Sequence, residues 1–184
     1  MRRGMLAALA ATAALVGASA ALAGSENGNR LSCFAGSGGT CTLTGESATL
    51  DNSSGGYSGV YLQNSNLDGK LLADVNKLSY RYSGSPAGAG APRISLPIDT
   101  GSGETAFYAF VASFYCNDGA GLTDVLNDPT CTIFAGSESF ANWAALVAEH
   151  PDWRVGPNLP FVIADEPGTW TVFDVRLGKG PAKA

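Results

Sequence analysis

The sequence predicts an all-β protein, a two-sheet antiparallel β-sandwich of the jelly-roll type with one inserted α-helix at about residues 137–150. Leu78, Tyr80 and Tyr82 alternate with single polar residues, as in a strand that has one face on a core and one in water. Clusters of Gly, Pro, Asn and Asp separate about eight or nine short segments of this kind. Short strands divided by such turns are typical of sandwiches and jelly rolls.

The predicted strands follow one another at short intervals. In chain order they cover residues 41–44, 47–51, 57–63, 78–83, 93–98, 105–116, 131–135, 160–164 and 169–177. Three pairs are predicted to form hairpins, which turn at Gly45-Glu46, at the glycine-rich tip within 75–98, and at 166–169. The segment 105–116 is apolar on both faces, which favours a strand in the middle of a sheet, under another layer.

The one predicted helix is amphipathic. The apolar residues that recur at helical spacing on one face are Phe140, Trp143, Ala144 and Val147. Ser137 or Ser139 is the predicted N-cap, and Pro151 is predicted to end the helix.

Residues 1–23 are predicted to be a secretory signal peptide. Arg2 and Arg3 form a charged start, 6–16 is an apolar stretch too short to span a membrane, and 21–23 is an A-x-A cleavage signal. Paired arginines also occur in twin-arginine signals, but the rest of that pattern is missing, which favours the general export route. The sequence therefore predicts a secreted, extracellular protein without membrane insertion.

The remaining chain is predicted to be a single β-sandwich domain over residues 24–178, followed by a flexible tail over 179–184. The chain has 11 Lys and Arg residues and 16 Asp and Glu residues. Removal of Arg2 and Arg3 leaves nine bases against sixteen acids, a net charge of about −7. An acidic domain without a basic stripe argues against nucleic acid and anionic membranes as partners.

The four cysteines, Cys33, Cys41, Cys116 and Cys131, all lie in the predicted mature part. Because export leads to an oxidising compartment, an even number of cysteines predicts disulfides. Three connectivities are open, and we expect the two local pairs, Cys33–Cys41 and Cys116–Cys131. The alternative is a zinc site, but the sequence has no C-x2-C pair.

Several segments resemble known exported proteins. The tip that leads into PRISLPID and the closing strand TWTVFDVRLG resemble jelly-roll domains of exported bacterial proteins. The segments FYCNDG, DPTCTIF, NWAALVAEHPDWRV and FVIADEPGTWTV are similar to a group of such proteins of uncharacterised function, over roughly residues 57–178. More distantly, the chain is similar to galactose-binding-like carbohydrate-binding modules. This resemblance implies sugar binding by fold analogy only, because one fold supports many functions.

Two arginines and two tyrosines are candidate ligand-binding residues. If the central segment forms a hairpin, Arg81 and Arg93 share its polar face, where like charges need an acidic partner such as Asp174. The alternative is that both guanidinium groups bind an anionic or hydroxyl-rich ligand, with Tyr57 and Tyr61 as stacking surfaces.

Trp170 is the best single candidate for a sugar-stacking ring, because it begins a strand on the less apolar face. The alternative is burial under the helix. A structural calcium ion is implied near the last strand by the resemblance, where Asp174 matches an acid of the sugar-binding modules. The Asn-Asp pairs at 117–118 and 127–128 also offer oxygen ligands, although both are common in solvated turns.

Catalysis has little support in the sequence. His150 is the only histidine, it lies at a predicted helix end where it can interact with the last carbonyls, and no G-x-S-x-G elbow is present. The carboxylates that could form a glycosidase pair are Asp99, Glu104, Asp165 and Glu166. They lack the E-x-D-x-E pattern of jelly-roll glucanases, so we expect no enzyme.

Two functions follow as expectations. The first is a non-catalytic carbohydrate-binding module for an extracellular polysaccharide, with no cofactor besides the possible calcium ion. The second is a structural or interaction domain that binds a protein of the cell envelope. A carboxylate-based glycoside hydrolase comes last.

Overall fold

The structure is a computed structural model that describes residues 23–24, 30–63, 66–103, 107–116 and 121–178. Residues 1–22 of the predicted signal peptide and the predicted tail at 179–184 lie outside the described residues. No helix in the described ranges has the length and hydrophobicity needed to span a lipid bilayer.

The protein is an all-β sandwich of two antiparallel sheets, as predicted. Its strands are β1 (Ala23–Gly24), β2 (Arg30–Gly36), β3 (Thr40–Thr44), β4 (Ser47–Asp51), β5 (Tyr57–Gln63), β6 (Leu78–Gly84), β7 (Arg93–Asp99), β8 (Tyr108–Ala112), β9 (Leu122–Asp124), β10 (Ile133–Ala135), β11 (Glu138–Phe140), β12 (Arg154–Val155), β13 (Phe161–Ala164) and β14 (Thr169–Leu177). The helices are α1 (Trp143–Glu149) and two short 3-10 turns, Leu72–Asp74 and Ser113–Tyr115.

The described strands form a larger and a smaller sheet. The larger sheet has the order β1-β2-β5-β13-β7-β8-β10-β11, with β12 paired to β7 beside β13. The smaller sheet has the order β3-β4-β14-β6-β9. The inner faces of both sheets enclose one core, in which Trp170 and Tyr80 are the largest fully buried side chains. Tyr80 satisfies its hydroxyl with Pro92 O at 2.7 Å and Ser113 Oγ at 2.5 Å.

Alternation decides which residues of each strand enter this core. In β5, Ser58, Val60 and Leu62 are buried, whereas Tyr57 and Tyr61 lie on the opposite face. The predicted bounds of β4, β5 and β14 agree with the structure, and the hairpin that turns at Gly45-Glu46 is confirmed by the pairing of β3 with β4.

The other two predicted hairpins are wrong. Strands β6 and β7 belong to different sheets, and so do β13 and β14. Alternation shows which residues are buried, but it is the same whether the next strand pairs beside the first or crosses to the other sheet. The two connections lie together at one end of the sandwich, where Gly90 N donates to Glu166 Oε1 at 2.7 Å and Ser85 N donates to Thr169 O at 2.9 Å.

The helix is shorter than predicted. It begins after Asn142, whose Oδ1 accepts a hydrogen bond from Ala145 N at 3.0 Å, so the predicted Ser137 and Ser139 caps are wrong. Both serines instead lie in the tight hairpin of β10 and β11, where Gly136 has a φ of 60°. Short strands therefore occupy the first residues of the predicted helix.

The predicted strand 105–116 is also shorter, since β8 ends at Ala112 and a 3-10 turn follows. Val111 is buried in the core, but Tyr108 and Phe110 are half-buried on the outer face. The strand lies inside the larger sheet between β7 and β10, as predicted, but the prediction that both of its faces are buried is wrong.

Both predicted disulfides are confirmed, Cys33–Cys41 and Cys116–Cys131. The first joins β2 of the larger sheet to β3 of the smaller sheet. The second joins the end of the 3-10 turn after β8 to the segment that leads into β10. Each bridge thus closes a short loop at the border of the sandwich.

Candidate functional site

Aromatic side chains cover the outer face of the larger sheet. Strand register puts Phe161 beside Tyr61 and, across Ser95 of β7, in line with Phe110 and Phe134. We call this surface the aromatic face, and its members on strands are Phe34, Tyr57, Tyr61, Tyr108, Phe110, Phe134 and Phe161. Phe114 and Tyr115 of the 3-10 turn extend it beyond β8.

The first group of rings surrounds Phe161. Its centroid lies 5.8 Å from that of Phe34, 6.1 Å from that of Tyr61 and 5.3 Å from that of Tyr108, each in an edge-to-face arrangement. Phe34 also lies 4.4 Å from Tyr61 and 6.5 Å from Tyr57. Edge-to-face contacts order aromatic rings, because the positive edge of one ring meets the negative face of another.

The second group of rings surrounds Phe134. This ring stacks on Phe110 with a centroid distance of 5.3 Å and an interplanar angle of 18°. It also lies 4.9 Å from Tyr115, which in turn contacts Phe114 at 5.1 Å. Tyr108 and Phe110 are alternate residues of β8 and therefore point to the same side of the sheet, which makes the two groups neighbours.

Arg93 lies on the same face as the second group. Its guanidinium carbon is 5.1 Å from the centre of the Phe110 ring, within the range of a cation–π contact. Its Nη2 donates to Asp165 Oδ2 at 2.6 Å, and its buried Nε has no hydrogen-bond partner among the residues that the structure describes. Arg93 is therefore fixed in place by an aromatic ring and a carboxylate.

Two glycines make room for the first group of rings. A Cβ atom at Gly59 would lie 2.4 Å from the Phe34 ring and 2.5 Å from Val162 O, and a Cβ atom at Gly36 would lie 2.5 Å from the Tyr57 ring. Aromatic rings thus cover strand glycines that have no side chain of their own. Tyr57 and Phe114 keep the greatest exposure, 41% and 61%.

Polar groups border the first group of rings. Burial raises the pKa of Tyr108 above its ordinary value of 10.0, the nearby Tyr61 raises it further, and a hydrogen bond with Asn158 lowers it. The Tyr61 and Tyr108 phenols are therefore close to each other and to the Asn158 amide. Gln63 Nε2 donates to Ser32 Oγ at 3.0 Å on the same side of the sheet.

The structure brings together three of the five predicted ligand-binding residues. Tyr57, Tyr61 and Arg93 all lie on the aromatic face. Arg81 lies on the smaller sheet, so the expectation that it shares a polar face with Arg93 is wrong. The carboxylate partner of Arg81 is Asp174, at 3.5 Å, as expected, whereas Arg93 pairs with Asp165.

Trp170 is not available to a ligand in this structure. Its side chain is 1% exposed and packs between the sheets, so its interpretation as a sugar-stacking ring is wrong. The alternative of burial is right, but the two sheets cover the ring and burial under the helix is not observed. The reason for the burial is a β-bulge: the register of β14 with β6 shifts between Phe173 and Arg176, and Asp174 has a φ of 49°. The extra residue lets Trp170 and Val175 both face the core.

The geometry at Asp174 disfavours the predicted calcium ion. Its Oδ1 accepts a hydrogen bond from Arg176 Nε at 2.7 Å, and its Oδ2 lies 3.5 Å from Arg81 Nε. Two guanidinium groups around one carboxylate repel a further cation.

Of the other predicted calcium ligands, the two that the structure describes form contacts within their own loop. Asn127 donates to Asp124, Asp128 accepts from Thr130, and 117–118 lies outside the described residues. Within the described ranges, one group of three possible metal ligands occurs, Cys116, Asp128 and Cys131, and its sulfurs are bonded to each other.

The three candidate catalytic groups that the structure describes are engaged in structural contacts. Asp165 binds Arg93, Glu166 accepts from Gly90 N, and Asp99 accepts from Gly101 N at 2.8 Å. Glu104 lies outside the described residues.

His150 stacks on another ring rather than facing the last helix carbonyls. Its ring stacks on Trp153 at 3.6 Å, and its Nε2 lies 3.2 Å from Glu138 Oε2. These contacts fasten the end of α1 to β11.

Five members of the aromatic face that lie on strands were missed by the sequence analysis: Phe34, Tyr108, Phe110, Phe134 and Phe161. Each lies on a different strand from Tyr57 and Tyr61, and only the order of strands in the larger sheet makes them neighbours. The signal that could have found them is the outward position of each ring in its own alternation.

Comparisons of the chain with protein-family models, with curated proteins and with solved structures give no match. Function is therefore inferred from the chemistry of the aromatic face.

Proposed function

We propose that this is a secreted, non-catalytic carbohydrate-binding protein and that the aromatic face is its binding surface. The observation that carries the proposal is the set of partly exposed rings on β2, β5, β13, β8 and β10, bordered by phenol and amide groups. Secretion is supported by the predicted signal peptide and by two disulfides, which are typical of oxidising compartments.

The chemistry of the face suits a sugar polymer. Sugar rings have apolar C–H faces that pack on aromatic rings, and hydroxyl groups that bond to phenols, amides and guanidinium groups. Binding sites combine mostly apolar and aromatic surface with a few such polar groups. Because these rings cross several strands of one sheet, the surface is extended, which favours a chain over a single small molecule.

The electrostatics favour a neutral polymer. Arg93 lies beside the second group of rings, and its charge is balanced by Asp165 at 2.6 Å. Binding of an acidic polysaccharide would require unbalanced cations, because charge-assisted hydrogen bonds supply most of the affinity for anionic groups. The acids at this end of the sandwich, Asp165 and Glu166, already hold structural partners, which supports a role without catalysis.

A second candidate is a protein-interaction domain of the cell envelope. The observation that favours it is the mutual edge-to-face packing of the rings around Phe161. Rings that support one another form an apolar patch, and patches rich in Tyr, Phe and Arg are typical of protein interfaces.

The experiment is retention of the mature protein, residues 24–184, on insoluble cellulose, chitin, β-1,3-glucan, xylan, mannan and purified cell wall. The test variant is Tyr57→Ala, which removes the most exposed tyrosine of the face. The matched control is Phe173→Ala, which removes an aromatic ring from the outer face of the smaller sheet.

We expect retention on at least one neutral polymer. The affinity for that polymer should fall by about tenfold or more in Tyr57→Ala and stay unchanged in Phe173→Ala. A tenfold loss of affinity corresponds to about 1.4 kcal/mol of binding free energy. Retention on none of the polymers contradicts the proposal, and capture of a cell-wall protein in place of a glycan supports the second candidate.

A further inference from the structure

We propose that a cleft beside the first group of rings binds the terminal unit of a neutral sugar chain, an inference that rests on the proposed function. The cleft has a volume of about 210 Å³ and lies between residues 66–68 and residues 155–160. We call it the end cleft.

The end cleft adjoins the aromatic face directly. Its wall residue Pro160 precedes Phe161, and Pro160 O accepts a hydrogen bond from Leu62 N at 2.8 Å. Its wall residue Asn158 bonds to Tyr108, whose ring lies 5.3 Å from that of Phe161. A chain that stacks on these rings therefore reaches the cleft with its next unit.

The size of the end cleft fits one sugar unit. Sites for small molecules are usually about 300–1,000 Å³, so a cleft of about 210 Å³ accommodates a single ring and not a longer fragment. Its two sides are joined by backbone hydrogen bonds, Gly69 N to Val155 O at 2.9 Å and Val155 N to Lys70 O at 2.8 Å. These bonds make the cleft preformed, which lowers the entropic cost of binding.

The lining selects against charge. Asn66 and Asn158 provide amides, Asp68 provides a carboxylate, and Leu159, which is 41% exposed, provides apolar surface. Amides and a carboxylate bond to hydroxyl groups, whereas the carboxylate repels an acidic sugar. No described residue that lines the cleft is cationic. The lining therefore suits a neutral pyranose with free hydroxyl groups.

The test uses saturation-transfer NMR of the mature protein with methyl glycosides of glucose, galactose, mannose, xylose and N-acetylglucosamine, and with glucuronic acid as the charged comparison. The variants are Asn158→Ala and Asp68→Ala in the end cleft. The matched control is Asn127→Ala, an exposed amide that bonds to Asp124 away from this cleft. Thermal unfolding verifies that all variants fold.

We expect a saturation-transfer signal from at least one neutral glycoside, a reduction of that signal of at least fivefold in the two cleft variants, and no reduction in Asn127→Ala. No signal from any neutral glycoside, an equal signal in Asn158→Ala, or a stronger signal from glucuronic acid would overturn the inference. Polymer retention without a glycoside signal rejects the end cleft and leaves the proposed function standing. A glycoside signal without polymer retention supports binding of a sugar unit in the end cleft and rejects the aromatic face as a polymer-binding surface.

Discussion

At the scale of single residues, Trp170 and Phe173 show how β14 divides its aromatic rings between core and solvent. Trp170 is fully buried, and within the described part of the chain its indole Nε1 has no hydrogen-bond partner. Phe173 pairs in register with Arg81 on the outer face and is half-buried. Two aromatic residues of one strand therefore differ in role, since Trp170 fills the core and Phe173 lies half-buried on the outer face.

We expect Trp170→Ala to lower the free energy of unfolding by about 3–5 kcal/mol, because it leaves a large cavity in the core. Trp170→Phe should cost less, since it removes an unsatisfied N–H group along with part of the ring. Phe173→Ala is the control, with an expected cost below about 1.5 kcal/mol. Urea denaturation measures all three, and equal losses for Trp170→Ala and Phe173→Ala would contradict the burial of Trp170.

The phenol of Tyr108 reports on the centre of the aromatic face. Its pKa is raised by burial first and by Tyr61 second, and lowered by Asn158. Tyr61→Phe should therefore bring the pKa of Tyr108 closer to 10.0, and Asn158→Ala should raise it. Titration of tyrosine ring carbons by NMR checks both directions. A Tyr108 pKa that is unchanged in Tyr61→Phe would show that the two phenols are not neighbours.

At the scale of elements, the bulge in β14 explains why buried residues of this strand do not follow strict alternation along its whole length. Without an extra residue, Val175 would face the same side as Phe173, as strict alternation predicts. With the bulge at Phe173–Asp174, Val172 and Val175 both reach the core. The sequence could not reveal this bulge, because an Asp in a strand is equally compatible with a regular outward position.

Asp174 combines a backbone role with a charge role. At a φ of 49°, alanine is strained by about 1–2 kcal/mol, whereas asparagine tolerates this conformation. The ion pairs with Arg81 and Arg176 are partly exposed and contribute less than about 1 kcal/mol each. We expect Asp174→Ala to be less stable than Asp174→Asn by about 1–2 kcal/mol. Thermal unfolding measures the order, and equal stability would exclude the strained bulge.

The bounds of several strands could be predicted from the sequence, but the pairing of the strands could not. The bounds of β4, β5 and β14 follow from local alternation and from turn residues, which act over a few positions. The hairpins at 75–98 and 160–177 were wrong because a loop of similar composition can either turn within a sheet or cross to the other one. That choice depends on contacts such as Gly90 with Glu166, far apart in the chain.

At the scale of the whole molecule, the two disulfides lie at the border of the sandwich and each joins two neighbouring segments of the chain. Cys33–Cys41 has a sequence separation of 8 and joins the sheets, and Cys116–Cys131 has a separation of 15. We expect each double Cys→Ala variant to lower the free energy of unfolding by about 2–3 kcal/mol, since each bridge restricts the unfolded chain. Urea denaturation with and without a reductant measures this. An unchanged midpoint after reduction would contradict a stabilising role.

The candidate site is a property of the whole molecule, which is why the sequence revealed only part of it. Tyr57 and Tyr61 could be chosen because they alternate within one strand. Phe34, Phe161 and Phe134 become their neighbours only through the strand order of the larger sheet. Trp170 was misassigned for a different reason, because the bulge at Phe173–Asp174 reverses the alternation of β14 and puts Trp170 on the same side as Val175.

The central claim is that the aromatic face is the surface that binds a glycan. The most direct measurement is NMR of the mature protein with ¹³C-labelled phenylalanine and tyrosine rings, titrated with soluble fragments of each neutral polysaccharide. We predict shifts for Tyr57, Tyr61 and Phe134, with Phe173 on the opposite outer face unchanged. Shifts at Phe173 alone, or no ring shifts with any fragment, would contradict the claim.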